Sequence, residues 1–152
     1  MQIDRIDTKL LRILQTDSQP GMQELGEAVG LSASACHRRI KAMERAGIID
    51  GYRAMLSASA LGFSLIFFVE VSLTTQSEAG LRQFEEAVRN APEILECFLM
   101  AGSADYVLRI VARDAEDFER VHRKVLSSLP GVTRLQSNMI IRTVKTDPGL
   151  PL

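Results

Sequence analysis

The sequence predicts an α+β chain in two parts: a three-helix N-terminal unit and a β-α-β-β-α-β C-terminal unit. Three observations carry this. Apolar residues recur at helical spacing as far as about residue 46. A small, polar stretch from Ser57 to Gly62 then breaks the pattern. Beyond it the apolar period changes to two, and strand-like and helix-like segments alternate. The expected boundaries are 1–56 for the first unit, 57–63 for a linker and 64–152 for the second unit.

Each element has a local reason. Ile6, Leu10, Ile13 and Leu14 share one face of a helix over residues 4–15, and Asp17-Ser18-Gln19-Pro20-Gly21 stops it. Met22, Leu25 and Val29 mark a second, short amphipathic helix closed by Gly30. Leu31 is an apolar plug, and Ser32 is a good N-cap for a third helix that runs to about Ala46. Gly47 suits the left-handed position after that helix. Residues 48–56 read as a short β-ribbon turning at Asp50-Gly51, which would add a wing to the helices.

In the second unit Leu65, Phe67, Val69, Val71 and Leu73 alternate with Ile66, Phe68, Glu70, Ser72 and Thr74, so one strand face is wholly apolar. Leu81, Phe84, Val88 and Ala91 follow as a one-sided helix ended by Pro92. Residues 94–100 and 106–112 read as strands joined by the turn Ala101 to Asp105. Phe118, Val121, Val125 and Leu129 mark a second helix, stopped by Pro130-Gly131, and 132–145 a last strand. This order is the ferredoxin-like split βαβ pattern.

Composition narrows the function classes. An apolar fraction of 46% with 24% charged residues is that of a folded globular chain. No apolar run approaches the roughly 20 residues that span a bilayer, and charges at Asp4, Arg5, Asp7 and Lys9 interrupt any signal-peptide core, so a cytoplasmic protein is expected. Cys36 and Cys97 are too few for a disulfide framework and read as buried thiols. The net charge is −1, yet positive charge is concentrated: Arg38, Arg39, Lys41, Arg45 and Arg53 face only Glu44 and Asp50 between residues 33 and 53. A phosphate-binding surface is to be sought there.

The third helix supports that search. At 100° per residue Cys36, Ile40 and Met43 form a buried stripe. Ser34, His37, Arg38, Lys41 and Arg45 cluster on the opposite side, with no acid among them. A basic helix face alone is usually a solvated face. Here the preceding short helix and the tight Gly30-Leu31-Ser32 turn make a helix-turn-helix, whose second helix suits the DNA major groove. Arg38 suits base reading, with Ser34 and His37 beside it; Lys41, Arg45 and the N-cap Ser32 suit phosphate. Arg39 lies on the flank, placed for a phosphate or a neighbouring carboxylate. An enzyme is disfavoured: there is no nucleophile elbow, zinc-protease pair, phosphate loop or dinucleotide fingerprint. Cys36-His37 diverge on their helix, and His122 flanks an apolar stripe.

Residues 22–40, from Met22 through Gly30-Leu31-Ser32 to Ile40, resemble the winged helix-turn-helix of the leucine-responsive regulatory protein/AsnC, or feast/famine, family. Ile3-Asp4-Arg5-Ile6-Asp7, Gly47 to Tyr52, Glu96-Cys97, Gly102 to Tyr106 and Leu129 to Val132 are similar in order and spacing, so the likeness spans nearly the whole chain. The resemblance implies a transcription regulator that binds double-stranded DNA. It also implies assembly into dimers and often octamers through the C-terminal domain. It implies no cofactor, but an amino acid or related metabolite as effector. A ligand-independent architectural DNA-binding protein is the alternative. The effector site it implies is the loop Gly102, Ser103, Ala104 and Asp105, with Ser137 from the last strand. Backbone N–H groups there suit a carboxylate and Asp105 an ammonium, although such a hairpin alone is ordinary turn chemistry. Ser103 stands where the family often has a second Asp, and Leu135 and Ser137 stand where it often has a Thr-x-Thr pair.

Overall fold

A computed structural model describes residues 1–146 and 149–152. The chain divides into two compact units, residues 1–55 with 144–152, and residues 56–143.

The first unit contains α1 (Arg5–Thr16), α2 (Met22–Val29) and α3 (Ala33–Arg45). Asp4 caps α1 in a reciprocal box: its side chain accepts from the Ile6 and Asp7 N–H groups, and Asp7 accepts from the Asp4 N–H. Leu10, Leu25, Cys36, Ile40 and Met43 form the buried core. Gly30 ends α2 in the left-handed conformation, with φ 74°. Gly47, with φ 66°, completes a Schellman end on α3: its N–H donates to Glu44 O, and the Ile48 N–H to Met43 O.

The expected wing is not formed, since residues 46–64 contain no strand. The helix end itself accounts for this. The N–H groups of both Ile48 and Ile49 turn back to the Met43 carbonyl, at 2.9 and 3.4 Å. The first arm of a ribbon therefore has no donors left, and a lone two-stranded ribbon is marginal in any case. The last described residues meet α1. Gln15 exchanges two hydrogen bonds with the Leu150 backbone, at 2.9 and 3.0 Å, and Arg12 donates to Leu152 O. Of the described residues, Val144 to Thr146 and Gly149 to Leu152 cluster with the first unit.

The second unit runs β1 (Leu65–Leu73), α4 (Glu78–Arg89), β2 (Ile94–Leu99), β3 (Tyr106–Ala112), α5 (Ala115–Lys124) and β4 (Val132–Met139). The sheet is antiparallel in its pairings, in the order β2-β3-β1-β4, the ferredoxin-like arrangement. Phe67, Val69 and Val71 alternate into the helix-covered side with Leu108, Ile110, Phe84 and Val121. Phe67 stacks on Phe118, ring centroids 3.8 Å apart. β4 stops at Met139, short of the expected 145, because it pairs with β1 and that strand runs out: Met139 lies opposite Phe67, near the start of β1. Residues 57–63 form a hydrogen-bonded turn rather than a loose linker, with the Leu61 N–H on Ser57 O and the Phe63 N–H on Ala58 O. Of the two cysteines, Cys36 is buried as expected and Cys97 only half-buried. Among the described residues no helix is long and apolar enough to cross a membrane.

Candidate nucleic-acid interface and effector loop

The tight turn between α2 and α3 rests on a residue the sequence reading passed over. Gly26 sits inside α2, and its carbonyl accepts N–H groups from both Gly30 and Leu31. A Cβ at Gly26 would lie 2.5 Å from the Leu31 carbonyl oxygen. Only glycine lets the turn fold this closely onto its own helix. A glycine in the middle of an eight-residue helix, where it costs about 1 kcal/mol relative to alanine, was the available signal.

This turn presents α3. Cys36, Ile40 and Met43 are buried, and Ser34, His37, Arg38, Lys41 and Arg45 are exposed on the other side, as the periodicity predicts. Ser32 caps the helix by accepting the Ala35 N–H at 3.2 Å, and its hydroxyl lies 3.1 Å from that of Ser34. Both hydroxyls therefore stand at the N-terminal end of α3, where helix N–H groups favour anions.

The basic residues are not equivalent. Arg38 and Arg45 make no ion pair among the described residues. Lys41 is held by Glu44 at 2.6 Å, and Glu44 also accepts from the Tyr52 hydroxyl at 3.3 Å. The Lys41 hydrogen bond holds the Glu44 carboxyl below its ordinary value, while burial and Glu44 together push the Tyr52 phenol up. Arg39 is directed away from the outer face. One of its nitrogens meets Asp4 at 2.7 Å and Asp7 at 2.8 Å. Of its two expected partners the structure supplies the carboxylates. Asp7 is 2% exposed, so Arg39 neutralises a buried charge and ties α3 to the N-terminal end of α1. The Asp7 backbone N–H and then Arg39 hold the Asp4 carboxyl below its usual value.

In the second unit the loop after β2 carries Gly102, Ser103, Ala104 and Asp105. The Asp105 carboxylate is already engaged: one oxygen accepts the Leu73 N–H and the other the Gln76 amide, both at 2.7 Å. Its backbone N–H donates to Val71 O at 2.9 Å. Asp105 therefore pins the loop to the end of β1. Ser103 and Ala104 border a cavity of about 270 Å³ with Glu70, Ser72, Arg134 and Gln136, all from the sheet face that no helix covers. Ser137 does not join them. It lies opposite Val69, on the helix-covered side, where its buried hydroxyl has no hydrogen-bond partner among the described residues. Leu135 shares that side opposite Val71. The side chains that β4 brings to the loop are Arg134 and Gln136, whose own contact is 2.9 Å. Neither they nor Glu70 were singled out from sequence; the signal was a run of polar residues at alternate positions of otherwise apolar strands.

A helix-turn-helix with an unacidic outer face, followed by a split βαβ domain with a polar cavity beside its loop, defines a two-domain regulator class. Family models match both parts: the AsnC-type helix-turn-helix domain over residues 3–44 and the Lrp/AsnC ligand binding domain over 66–150. The chain belongs to the Lrp/AsnC family of transcription regulators, which are not enzymes. It is 39% identical over 145 residues to the leucine-responsive regulatory protein of Rhizobium meliloti, covering 95% of this chain and 93% of the relative. It is 36% identical to the Bkd operon transcriptional regulator of Pseudomonas aeruginosa, over 99% of both chains. Among solved structures, a Neisseria meningitidis transcriptional regulator in complex with L-Met superposes with a TM-score of 0.93 at 35% identity, covering 99% of this chain and 97% of that one.

Proposed function

We infer that the chain reads an operator through the outer face of α3 and is modulated by an amino acid bound beside the loop Gly102 to Asp105. The observation that carries the DNA reading is the exposed row Ser34, His37, Arg38, Lys41 and Arg45 on a helix whose other face is the domain core. Arg38, which meets no carboxylate among the described residues, reads base edges with Ser34 and His37 beside it, while Arg45, Lys41 and Ser32 hold phosphates. Lys41 exchanges Glu44 for a phosphate on binding. Arg39 contributes by orienting α3.

For the effector, the cavity beside Ser103 and Ala104 offers both charges that an amino acid needs. Glu70 suits the ammonium; Arg134 and the loop N–H groups suit the carboxylate. Asp105 sets the loop rather than meeting the ligand. The L-Met complex of the Neisseria relative supports an amino-acid effector. The uncovered sheet face also carries Phe68, Phe98 and Val107, with the two phenylalanines exposed by 38% and 51%. That apolar patch supports pairing with a second copy, as a dimer or a higher even assembly, which would suit a palindromic operator.

Selection of bound sequences from a random duplex library tests the DNA reading, and recovery of no consensus would overturn it. Calorimetry with the proteinogenic amino acids on wild type, Glu70→Gln and Arg134→Gln tests the effector site. Binding that survives both substitutions would move it elsewhere. Light scattering of Phe68→Asp tests the assembly: the expected result is a smaller species than wild type.

A further inference from the structure

The largest cavity described lies away from the effector loop, where the turn 57–63 meets the end of β3 and the start of α5. It measures about 540 Å³. Its apolar walls come from Leu56, Leu61, Phe63, Leu95 and Val111. Leu56, Leu61 and Leu95 are exposed by 74%, 56% and 47%, so much apolar surface here meets water. The wall that the turn supplies is built, not slack. Its backbone is closed by the hydrogen bonds to Ser57 O and Ala58 O, and Gly62 takes φ 85° to turn Phe63 back towards the sheet.

The charges around this cavity are unequal in a way that selects a ligand. Two carboxylates line it, Glu93 and Asp117, and both are spent on Arg120, at 3.3 and 2.8 Å. The second oxygen of Asp117 accepts the Arg113 backbone N–H at 3.0 Å. Arg113 also lines the cavity, yet its guanidinium makes no ion pair among the described residues. Its central carbon lies 5.3 Å from the Phe63 ring centroid. An aromatic ring restrains a guanidinium without using its N–H donors. The cavity therefore presents apolar walls and one cation whose donors meet no carboxylate among the described residues, although its charge is felt by Asp117. A cationic ligand would find no free carboxylate. A phosphate would find too few donors and an apolar surround.

We propose that this cavity is a second ligand site, which takes a monocarboxylate with an apolar tail: the carboxylate pairs with Arg113 and the tail lies against Leu61, Phe63, Leu95 and Val111. The site is distinct from the amino-acid cavity, since its ligand needs no ammonium.

Sodium octanoate is the probe, titrated by calorimetry into the full-length protein, with octan-1-ol as the uncharged control. The expected result is that octanoate binds wild type and that Arg113→Gln weakens it about tenfold, a typical loss for a charge-assisted hydrogen-bonded pair. Octanol binding should be unchanged by Arg113→Gln. Ala58→Trp, which fills the cavity from its exposed lip, should abolish octanoate binding while leaving the thermal midpoint intact. Octanoate binding that is equal in wild type and Arg113→Gln would overturn the proposal, as would no binding at about 10 mM, the range of the weakest specific affinities. So would a drop in assembly size in Ala58→Trp by light scattering, because a second copy of the chain would then occupy the cavity.

Discussion

Replacing Gly26 by alanine tests how the reading helix is positioned. In an isolated helix the change would stabilise by about 0.8–1 kcal/mol, because alanine is the better helix former. Here the new Cβ would sit 2.5 Å from the Leu31 carbonyl oxygen, a backbone atom that cannot swing aside. Reaching ordinary contact at 3.4 Å requires the turn to open by about 0.9 Å. That opening strains the Leu31 N–H bond to Gly26 O, now 2.9 Å, which is worth about 0.5–1.5 kcal/mol. Overpacking of this kind costs about 1–3 kcal/mol. The net loss is about 0.5–4 kcal/mol once the helix preference is subtracted. Urea denaturation followed by circular dichroism measures it, and band shifts on a selected operator measure the displacement of α3. Gly26→Ala as stable as wild type, or more stable, with unchanged DNA affinity would refute the reasoning.

Further expectations follow from the same contacts. Arg39→Gln leaves the buried Asp7 without its cation and should lower stability by about 3 kcal/mol in urea denaturation. Ser137→Ala removes a buried hydroxyl that has no partner among the described residues and should raise stability by about 1 kcal/mol, read as a higher thermal midpoint. Hydrogen bonds hold the Asp4 and Asp117 carboxyls below their ordinary value of 3.8, so their stabilisation is complete above the unfolded value and lost as pH falls through the lower folded ones. Denaturation midpoints should therefore fall below about pH 4, less steeply in Asp4→Asn. Burial pushes the Cys97 thiol up to about 11 from 9.0, and stability should decline as pH rises between those values, because the unfolded thiol ionises first.

Periodicity carried most of the architecture into the sequence. The stripes at Cys36, Ile40 and Met43 and at Phe67, Val69 and Val71 are buried as their spacing requires. What the sequence left hidden depends on where backbone donors and strand partners end. The ribbon expected over 48–56 failed because the end of α3 claims the donors of Ile48 and Ile49. The last strand ends sooner than its pattern suggests because only pairing with β1 sets its end. On the outer face of α3 every exposed residue was legible, but the Lys41–Glu44 contact and the double hold of Arg39 follow only from the folded chain. The position of the loop Gly102 to Asp105 was legible in the sequence, while the contacts its side chains make were not. The two hydrogen bonds of Asp105 and the inward side of Ser137 follow from register, which a single strand cannot reveal.

The central claim is that Arg38 reads bases while Lys41 holds phosphate. It is tested most directly by fluorescence anisotropy of wild type, Arg38→Ala and Lys41→Ala on the selected operator and on single-base variants of it, across a salt series. Arg38→Ala should lose about 1–3 kcal/mol on the operator and no longer distinguish the base variants at one position. Lys41→Ala should weaken every duplex alike and flatten the salt dependence by about one counterion. Arg38→Ala with the affinity and base preference of wild type would contradict the account.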